Sequence, residues 1–234
     1  MSKDHFIAQT YLSSFTNSQS LLIPYYKNAH KIIGKPKNTS AVCFETDGDV
    51  NKLFLNPRLV DEYLMLFENN WASNVSALKN MQGNLDNKYG IAGYISFLQR
   101  CTPTAKRLAR NYLTHDIRPL MDRVIKKHVG DPNLEPDIQE LFDHHQNERC
   151  MEFEITPEYA HAMAIRALVD GARSLFCSHW LVLFNETDTP FITSDNPIVL
   201  YYESNNCIAK TFVPLSPSLG VLITPFYISE PPTE

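Results

Sequence analysis

The hydrophobic period of this chain changes twice, and these changes constrain the fold more than any other feature. Residues 1–55 contain short apolar runs broken by turn residues, such as "SLLIPYYKN" and "HKIIGKPKN". Between 56 and 178 apolar residues recur at spacings of three and four, the period of an amphipathic helix. Strand-like runs return at 179–228, before a polar tail at 229–234. The sequence therefore predicts one α+β domain with N-terminal β-hairpin elements, a central helical bundle and a C-terminal antiparallel sheet.

Local signals predict individual elements within this frame. A short helix is expected in "HFIAQTYLSSF", and one long helix is expected in "NPRLVDEYLMLFENNWASNVSALKNM", behind Asn56-Pro57. Another single helix is expected in "TPEYAHAMAIRALVDGARSLFCS", and Pro119 could kink the helix that contains it. Turns are expected at Lys27-Asn28 and Asp47-Gly48. The final sheet is expected to have about four or five strands, with "PFITS" among the strand-like runs.

The composition is that of an ordinary globular protein. With 234 residues, 44% of them hydrophobic, the chain can bury a core without disulfide or metal staples. The 5 cysteines form no C-x-x-C pair and are typical of free thiols in a reducing compartment. We found neither an apolar leader nor an apolar run long enough to span a membrane. These features predict a cytoplasmic protein without a membrane partner.

Charge is distributed in two blocks. The segment from Arg100 to His128 is basic, and the segment from Asp131 to Glu158 is acidic. Charge runs are usually solvated or paired, so the blocks could pair with each other or face solvent. Alternatively, the basic stretch at 100–128 is a surface for phosphates and binds nucleic acid. The spacing of Arg110 and His115 is similar to that in HEPN-type helical ribonucleases, although chance alone produces roughly one such match in a chain of this length.

Five segments carry a resemblance to a known family. They are "HFIAQTYLSSF", "FENNW", "FLQRCTPTAKR", "WLVLFNETDTPFITSDNPIVLY" and "TFVPLSPSLGVLITP". Together they resemble the Domain of Unknown Function 4238 family of bacterial and fungal proteins over nearly the whole chain, with Ala8 in place of the usual proline. No activity is established for that family. The resemblance implies fold boundaries and a set of matching positions: His5, Tyr11, Glu68, Arg100, Ser194, Asp195, Asn196, Pro197, Pro214, Leu215 and Pro217.

The residue types at these positions allow a metal-dependent hydrolase. His5, Glu68 and Asp195 could together bind a divalent metal such as Mg²⁺ or Mn²⁺, which would activate water and polarise a phosphoryl oxygen. The predicted catalytic residues are His5, Glu68, Arg100 and Asp195, and the predicted substrate contacts are Arg107, Arg110, His115, Ser194 and Asn196. The sequence thus predicts a hydrolase of nucleic-acid phosphodiesters, an activity that would suit a toxin or defence effector.

Each of the three expected metal ligands also has a structural interpretation. Asp195 could accept backbone N–H bonds in an Asx-type turn within "PFITSDNP", and His5 could be a packing residue. Glu68 could pair with a basic residue such as Arg100. In that case "SDNP" and "PLSP" are rigid turns in a protein that binds a ligand or another protein without chemistry.

Overall fold

The predicted α+β class is confirmed by a computed structural model, which describes residues 2–26, 31–32, 35–148, 151–202 and 209–225. In the described residues, the N-terminal part contains short strands, one short α-helix and a 3-10 helix at Thr39–Ala41. The strands and the α-helix are β1 (Lys3–His5), α1 (Gln9–Ser13), β2 (Tyr25–Tyr26), β3 (Lys31–Ile32) and β4 (Phe44–Thr46). Strand β1 pairs antiparallel with β4, and β2 pairs antiparallel with β3. The turn expected at Lys27-Asn28 lies outside the described residues.

The start of the chain differs from the expected helix. His5 belongs to β1, where it pairs with Phe44, and the helix begins only at Gln9. The reason is the partner strand: β4 ends at a turn in which Asp47 has a left-handed φ of 52°, and Asp47 N–H donates to Ser2 O at 3.0 Å. The Asp47-Gly48 turn signal was therefore correct, but the strand that pairs with β4 is 40 residues away in sequence and gave no local signal.

The central part of the chain is helical, as predicted. Its helices are α2 (Leu59–Glu68), α3 (Trp71–Lys79), α4 (Leu85–Cys101), α5 (Pro103–His128), α6 (Pro136–Glu148), α7 (Pro157–Arg166) and α8 (Leu168–Cys177). Asn84 caps α4 through a reciprocal pair of hydrogen bonds with Asn87. Thr102 and Thr156 cap α5 and α7, each followed by proline at the first helical position.

Two helices that were predicted to be continuous are broken. Asn69 and Asn70 separate α2 from α3, because asparagine has low helix propensity and favours the turn that these residues adopt. Ala167 separates α7 from α8, and its N–H is shared between Met163 O and Ala164 O, both at 3.2 Å. In contrast, α5 continues through Pro119 as one helix. Among the described helices, none combines the length and apolarity needed to cross a membrane.

Within the described residues, the C-terminal part contains four strands, β5 (His179–Phe184), β6 (Val199–Tyr202), β7 (Ala209–Ser216) and β8 (Leu219–Thr224). They form an antiparallel sheet in the order β5–β8–β7–β6. The run "PFITS", predicted as a strand, is irregular and is held by the Phe191 N–H bond to Pro217 O at 2.9 Å.

The core lies where α4 meets the other layers. Helix α4 packs on α8, α3 and α2, and its residues Ile91, Ile95 and Leu98 are fully buried. Buried residues of α1, β7 and β8 belong to the same hydrophobic cluster. The sequence motifs at both ends of the chain therefore meet against the central helices.

Candidate functional site

The side chain of Tyr11, one of the motif residues, is fully buried and contacts the motif residue Pro214. Its hydroxyl donates to Pro214 O at 2.8 Å and lies 2.9 Å from Thr193 Oγ1. Nearby, the Tyr94 hydroxyl accepts a bond of 2.7 Å from Ala8 N–H. These contacts tie the first helix to the "VPLSP" strand and to the segment before "SDNP". The motif residues Tyr11 and Pro214 therefore have a structural role in joining the ends of the fold.

The "SDNP" segment is a turn formed by Ser194 rather than by Asp195. The Asn196 N–H donates to Ser194 Oγ at 3.1 Å, and Pro197 is buried. The Asp195 side chain is exposed and makes no hydrogen bond or ion pair within the described residues. Burial raises the pKa of Cys43 to about 11, and the charge of Asp195 adds to that shift. The Asx-type turn expected at Asp195 is thus corrected to a serine turn that leaves the carboxylate free.

Glu68 ends α2 as a half-buried carboxyl. Burial, followed by the nearby charge of Asp61, raises its pKa to about 7. Glu68 has no hydrogen bond or ion pair in the part of the chain that the structure describes, so the expected pair with Arg100 does not form there. A carboxyl with a pKa near 7 is able to exchange protons under physiological conditions, which is a common property of functional sites.

Arg100 packs against a different helix. Its guanidinium lies on Gly171 of α8, so closely that an added Cβ there would sit 2.5 Å from three guanidinium atoms. Nη1 donates to Ser96 Oγ at 3.2 Å and to Gln99 Oε1 at 3.3 Å. Arg100 therefore packs between α4 and α8, and it forms no ion pair with Glu68 in the described residues.

His5 is held against Phe44, with the ring centroids 5.8 Å apart, and its Nε2 atom is buried without a hydrogen-bond partner in the described residues. Across those residues, no group of three His, Cys, Asp or Glu side chains is arranged to hold a metal ion. The structure thus does not assemble His5, Glu68 and Asp195 as the metal site suggested by the sequence. The three residues lie on separate elements: His5 on β1, Glu68 at the end of α2 and Asp195 in the "SDNP" turn.

A second set of predicted residues does come together, along one face of α5. Two adjoining cavities of about 370 and 330 Å³ share Arg110 and Asn111 in their walls. We term the two together the α5 groove. The inner cavity lies between the start of α5, the Gly48 turn and the start of α7, and its charged or titratable lining residues are Glu45, Lys106, Arg107, Arg110, Glu158 and His161. The outer cavity is lined by Arg110, Asn111, Thr114, His115, Arg118 and Glu154.

Two cationic side chains of the α5 groove are bound to acceptors within the described residues, and two are not. Lys106 Nζ donates to Gly48 O at 2.7 Å and lies 3.7 Å from Glu45 Oε2. Arg110 donates from Nε to Ile155 O at 2.9 Å and forms an ion pair with Glu154. Arg107 and Arg118 are exposed and have no acceptor within the described ranges. The last two side chains are therefore free to bind an anion.

This placement follows from helical spacing. Arg107, Arg110 and Arg118 are separated by three and eight residues, which brings them to the same side of α5. Arg107, Arg110 and His115 were among the substrate contacts predicted from the sequence, and all three line the α5 groove. Ser194 and Asn196, the other predicted substrate contacts, do not line it.

The groove also contains a histidine that was not singled out from the sequence. His161 of α7 is 6% exposed, and its Nε2 atom has no hydrogen-bond partner among the described residues. Burial, followed by the charge of Lys106, lowers its pKa to about 4, so the imidazole is neutral at pH 7. No local signal reveals it, because a histidine between two alanines on an amphipathic helix has many ordinary explanations.

Asp49 lies near the same lysine. It is 3% exposed, and burial raises its pKa to about 7, although the positive charge of Lys106 acts to lower that pKa. The carboxylates of Asp4, Asp61 and Glu68 add to the increase. Asp49 thus changes charge near neutral pH next to a cation of the groove.

The fold and the groove define an α+β protein with a basic groove along one long helix. The chain matches the family described as "Protein of unknown function (DUF4238)" over residues 3–234, and it belongs to that family. No curated protein and no solved structure matches it. The family assignment thus agrees with the resemblance of the motifs and leaves the function to be inferred from the site.

Proposed function

We propose that the protein binds the phosphodiester backbone of a nucleic acid in the α5 groove. The observation that carries this proposal is the alignment of Arg107, Arg110 and Arg118 along two joined cavities. Contacts from arginine and lysine to phosphates supply most of the affinity of such complexes. The planar guanidinium also matches the geometry of two phosphate oxygens.

The dimensions of the groove favour a single strand. From Pro103 to Arg118 the helix rises about 23 Å at about 1.5 Å per residue. That length suits several nucleotides of an extended strand, within the range of roughly 4–16 bound by single-strand binding folds. Cavities of about 370 and 330 Å³ are the size of small-ligand sites, so they admit a strand or its end rather than a duplex.

The acidic residues of the groove moderate the proposed affinity. Glu45 and Glu154 pair with Lys106 and Arg110, while Glu158 in the inner cavity has no cationic partner within 4 Å in the described part of the chain. We therefore expect about two phosphates to be neutralised, one by Arg107 and one by Arg118. For single strands, the logarithm of affinity should then fall with the logarithm of salt concentration at a slope of about −1.4.

The proposal is tested by titrating the protein with a fluorescently labelled oligonucleotide of about ten nucleotides and measuring anisotropy. Arg107→Ala and Arg118→Ala should each weaken binding by roughly 5- to 10-fold, because each removes one uncompensated phosphate contact. Lys127→Ala is the matched control, since it removes an exposed cation of α5 outside the groove. Absence of binding at low salt, or equal losses in all three variants, would overturn the proposal.

Metal-dependent hydrolysis of nucleic-acid phosphodiesters is a second candidate, at a site outside the α5 groove, since Glu68 does not line that groove. It is favoured by Glu68, whose pKa of about 7 suits a general acid or base. The test is cleavage of end-labelled RNA and DNA in Mg²⁺ or Mn²⁺, with and without a chelator. Cleavage that disappears in a folded Glu68→Gln variant would support hydrolysis, whereas no cleavage under any of these conditions would leave binding as the function.

A further inference from the structure

We propose that the inner cavity of the α5 groove is a subsite for a terminal phosphate, so that the protein holds a nucleic-acid strand by its phosphorylated end. This inference rests on the proposed function and specifies its substrate class. It is carried by three features of the inner cavity. These are two helix N-termini, the guanidinium of Arg107, which has no acceptor in the described residues, and a buried imidazole whose Nε2 atom has no partner there.

Two helices begin at the inner cavity. Pro103, the first residue of α5, and Pro157, the first residue of α7, both line it. These helices have 26 and 10 residues, so each presents a partial positive charge at its N-terminus. Such termini favour bound anions, phosphates above all.

The side chains supply further positive charge. Arg107 lies one turn into α5 and is without an acceptor in the described residues, so its full fork of donors is available. Lys106 uses one of its three N–H groups on Gly48 O, and Glu45 lies 3.7 Å away. A phosphate placed between Arg107 and Lys106 would accept hydrogen bonds from both.

His161 is an independent indication of a ligand. It lines the inner cavity, is 6% exposed and has a buried Nε2 atom without a partner in the described part of the chain. A buried polar atom without a hydrogen bond is costly and uncommon in folded proteins. A neutral imidazole can donate one N–H to a phosphate oxygen, so a small adjustment of the ring towards a bound phosphate would remove this cost.

The inner cavity lies at the N-terminal end of α5. Beside it, the Lys106 bond to Gly48 O joins α5 to the turn after β4. The outer cavity continues in the opposite direction, towards His115 and Arg118. A strand whose terminal phosphate binds in the inner cavity can therefore continue along α5 into the outer cavity. A terminal phosphate carries about −1.5 to −2 charges at pH 7, more than an internal phosphodiester, so it gains most from this site.

The experiment compares three oligonucleotides of one sequence, about ten nucleotides long, carrying a 5′-phosphate, a 3′-phosphate or hydroxyls at both ends. Each competes for the wild-type protein with the labelled probe at fixed salt and pH. At least one phosphorylated oligonucleotide should bind about tenfold more tightly than the hydroxyl form. This advantage should fall to less than about twofold in Arg107→Ala and remain in Lys127→Ala. Glu158→Gln should increase it, because an opposing carboxylate is removed.

The outcomes separate this inference from the proposed function. If the hydroxyl form binds as tightly as both phosphorylated forms, the terminal-phosphate subsite is wrong and strand binding stands. If none of the three binds, both proposals fail. An advantage that persists in Arg107→Ala would also overturn the inference, because the phosphate would then lie elsewhere. A preference for one end supports the subsite and gives the polarity of the bound strand, and an equal gain from both ends supports a subsite for either phosphomonoester.

Discussion

Asp49→Asn should stabilise the protein above pH 7 much more than at pH 5. Asp49 is 3% exposed, and its pKa rises from 3.8 to about 7 on folding, chiefly because its charged form is removed from water. Between pH 3.8 and about pH 7, Asp49 is therefore protonated in the folded state and ionised in the unfolded state. Rising pH through this window progressively destabilises the fold, and the full cost is present above pH 7. Asparagine is neutral at every pH and avoids this cost.

The expected magnitude follows from the size of the shift. A difference of about 3 pKa units corresponds to about 4 kcal/mol at pH values above both pKa values, at about 1.4 kcal/mol per unit. Part of that cost is already present at pH 5, which lies above the unfolded pKa. Between pH 5 and pH 8 the stability of Asp49→Asn relative to the wild type should thus increase by about 3 kcal/mol.

Urea unfolding of both proteins at pH 5, 6, 7 and 8 measures this difference directly, because other titrating groups are common to both and cancel. The relative stability should rise between pH 5 and pH 7 and then level off. A difference that does not change with pH would refute the reasoning. It would mean that Asp49 is already ionised in the fold at pH 5 and is stabilised by Lys106 more than it is penalised by burial.

Three other substitutions test the structural assignments by thermal or urea unfolding. Tyr11→Phe should lower the free energy of unfolding by about 1–3 kcal/mol, because it leaves buried partners without a hydrogen bond. The control, Tyr112→Phe, changes a residue that is 70% exposed and should be nearly neutral. Equal effects of the two substitutions would contradict the structural role of Tyr11. Gly171→Ala should cost about 1–3 kcal/mol, because the new Cβ displaces the guanidinium of Arg100; an unchanged stability would contradict that packing. Asp195→Ala should change stability by less than about 0.5 kcal/mol, since the carboxylate is exposed and unbonded in the described residues; a larger loss would indicate a structural role.

The fold class could be predicted from the sequence because the hydrophobic residues within each part of the chain recur at one characteristic spacing. The errors occurred where local and tertiary preferences compete. The periodicity around Asn69 and Asn70 is helical on both sides, yet two consecutive asparagines favour a turn there. His5 reads as the start of a helix but becomes a strand residue, because its partner Phe44 is distant in sequence.

The candidate site was predictable to the extent that it depends on one helix. Arg107 and Arg110 lie on the same helix, so their spacing placed them together. His161 and Asp49 could not be identified in this way, because their burial and pKa depend on elements brought together from three parts of the chain. The metal ligands proposed from family motifs lie on three separate elements, and in the described residues no group of three His, Cys, Asp or Glu side chains could hold a metal ion.

Strand binding in the α5 groove is most directly tested by anisotropy titrations of wild type, Arg107→Ala and Lys127→Ala with one single-stranded oligonucleotide at two salt concentrations. We predict binding by the wild type that weakens with salt, a loss of roughly 5- to 10-fold in Arg107→Ala and a change of less than about twofold in Lys127→Ala. No binding at low salt, or the same affinity in all three proteins, would contradict the proposed function.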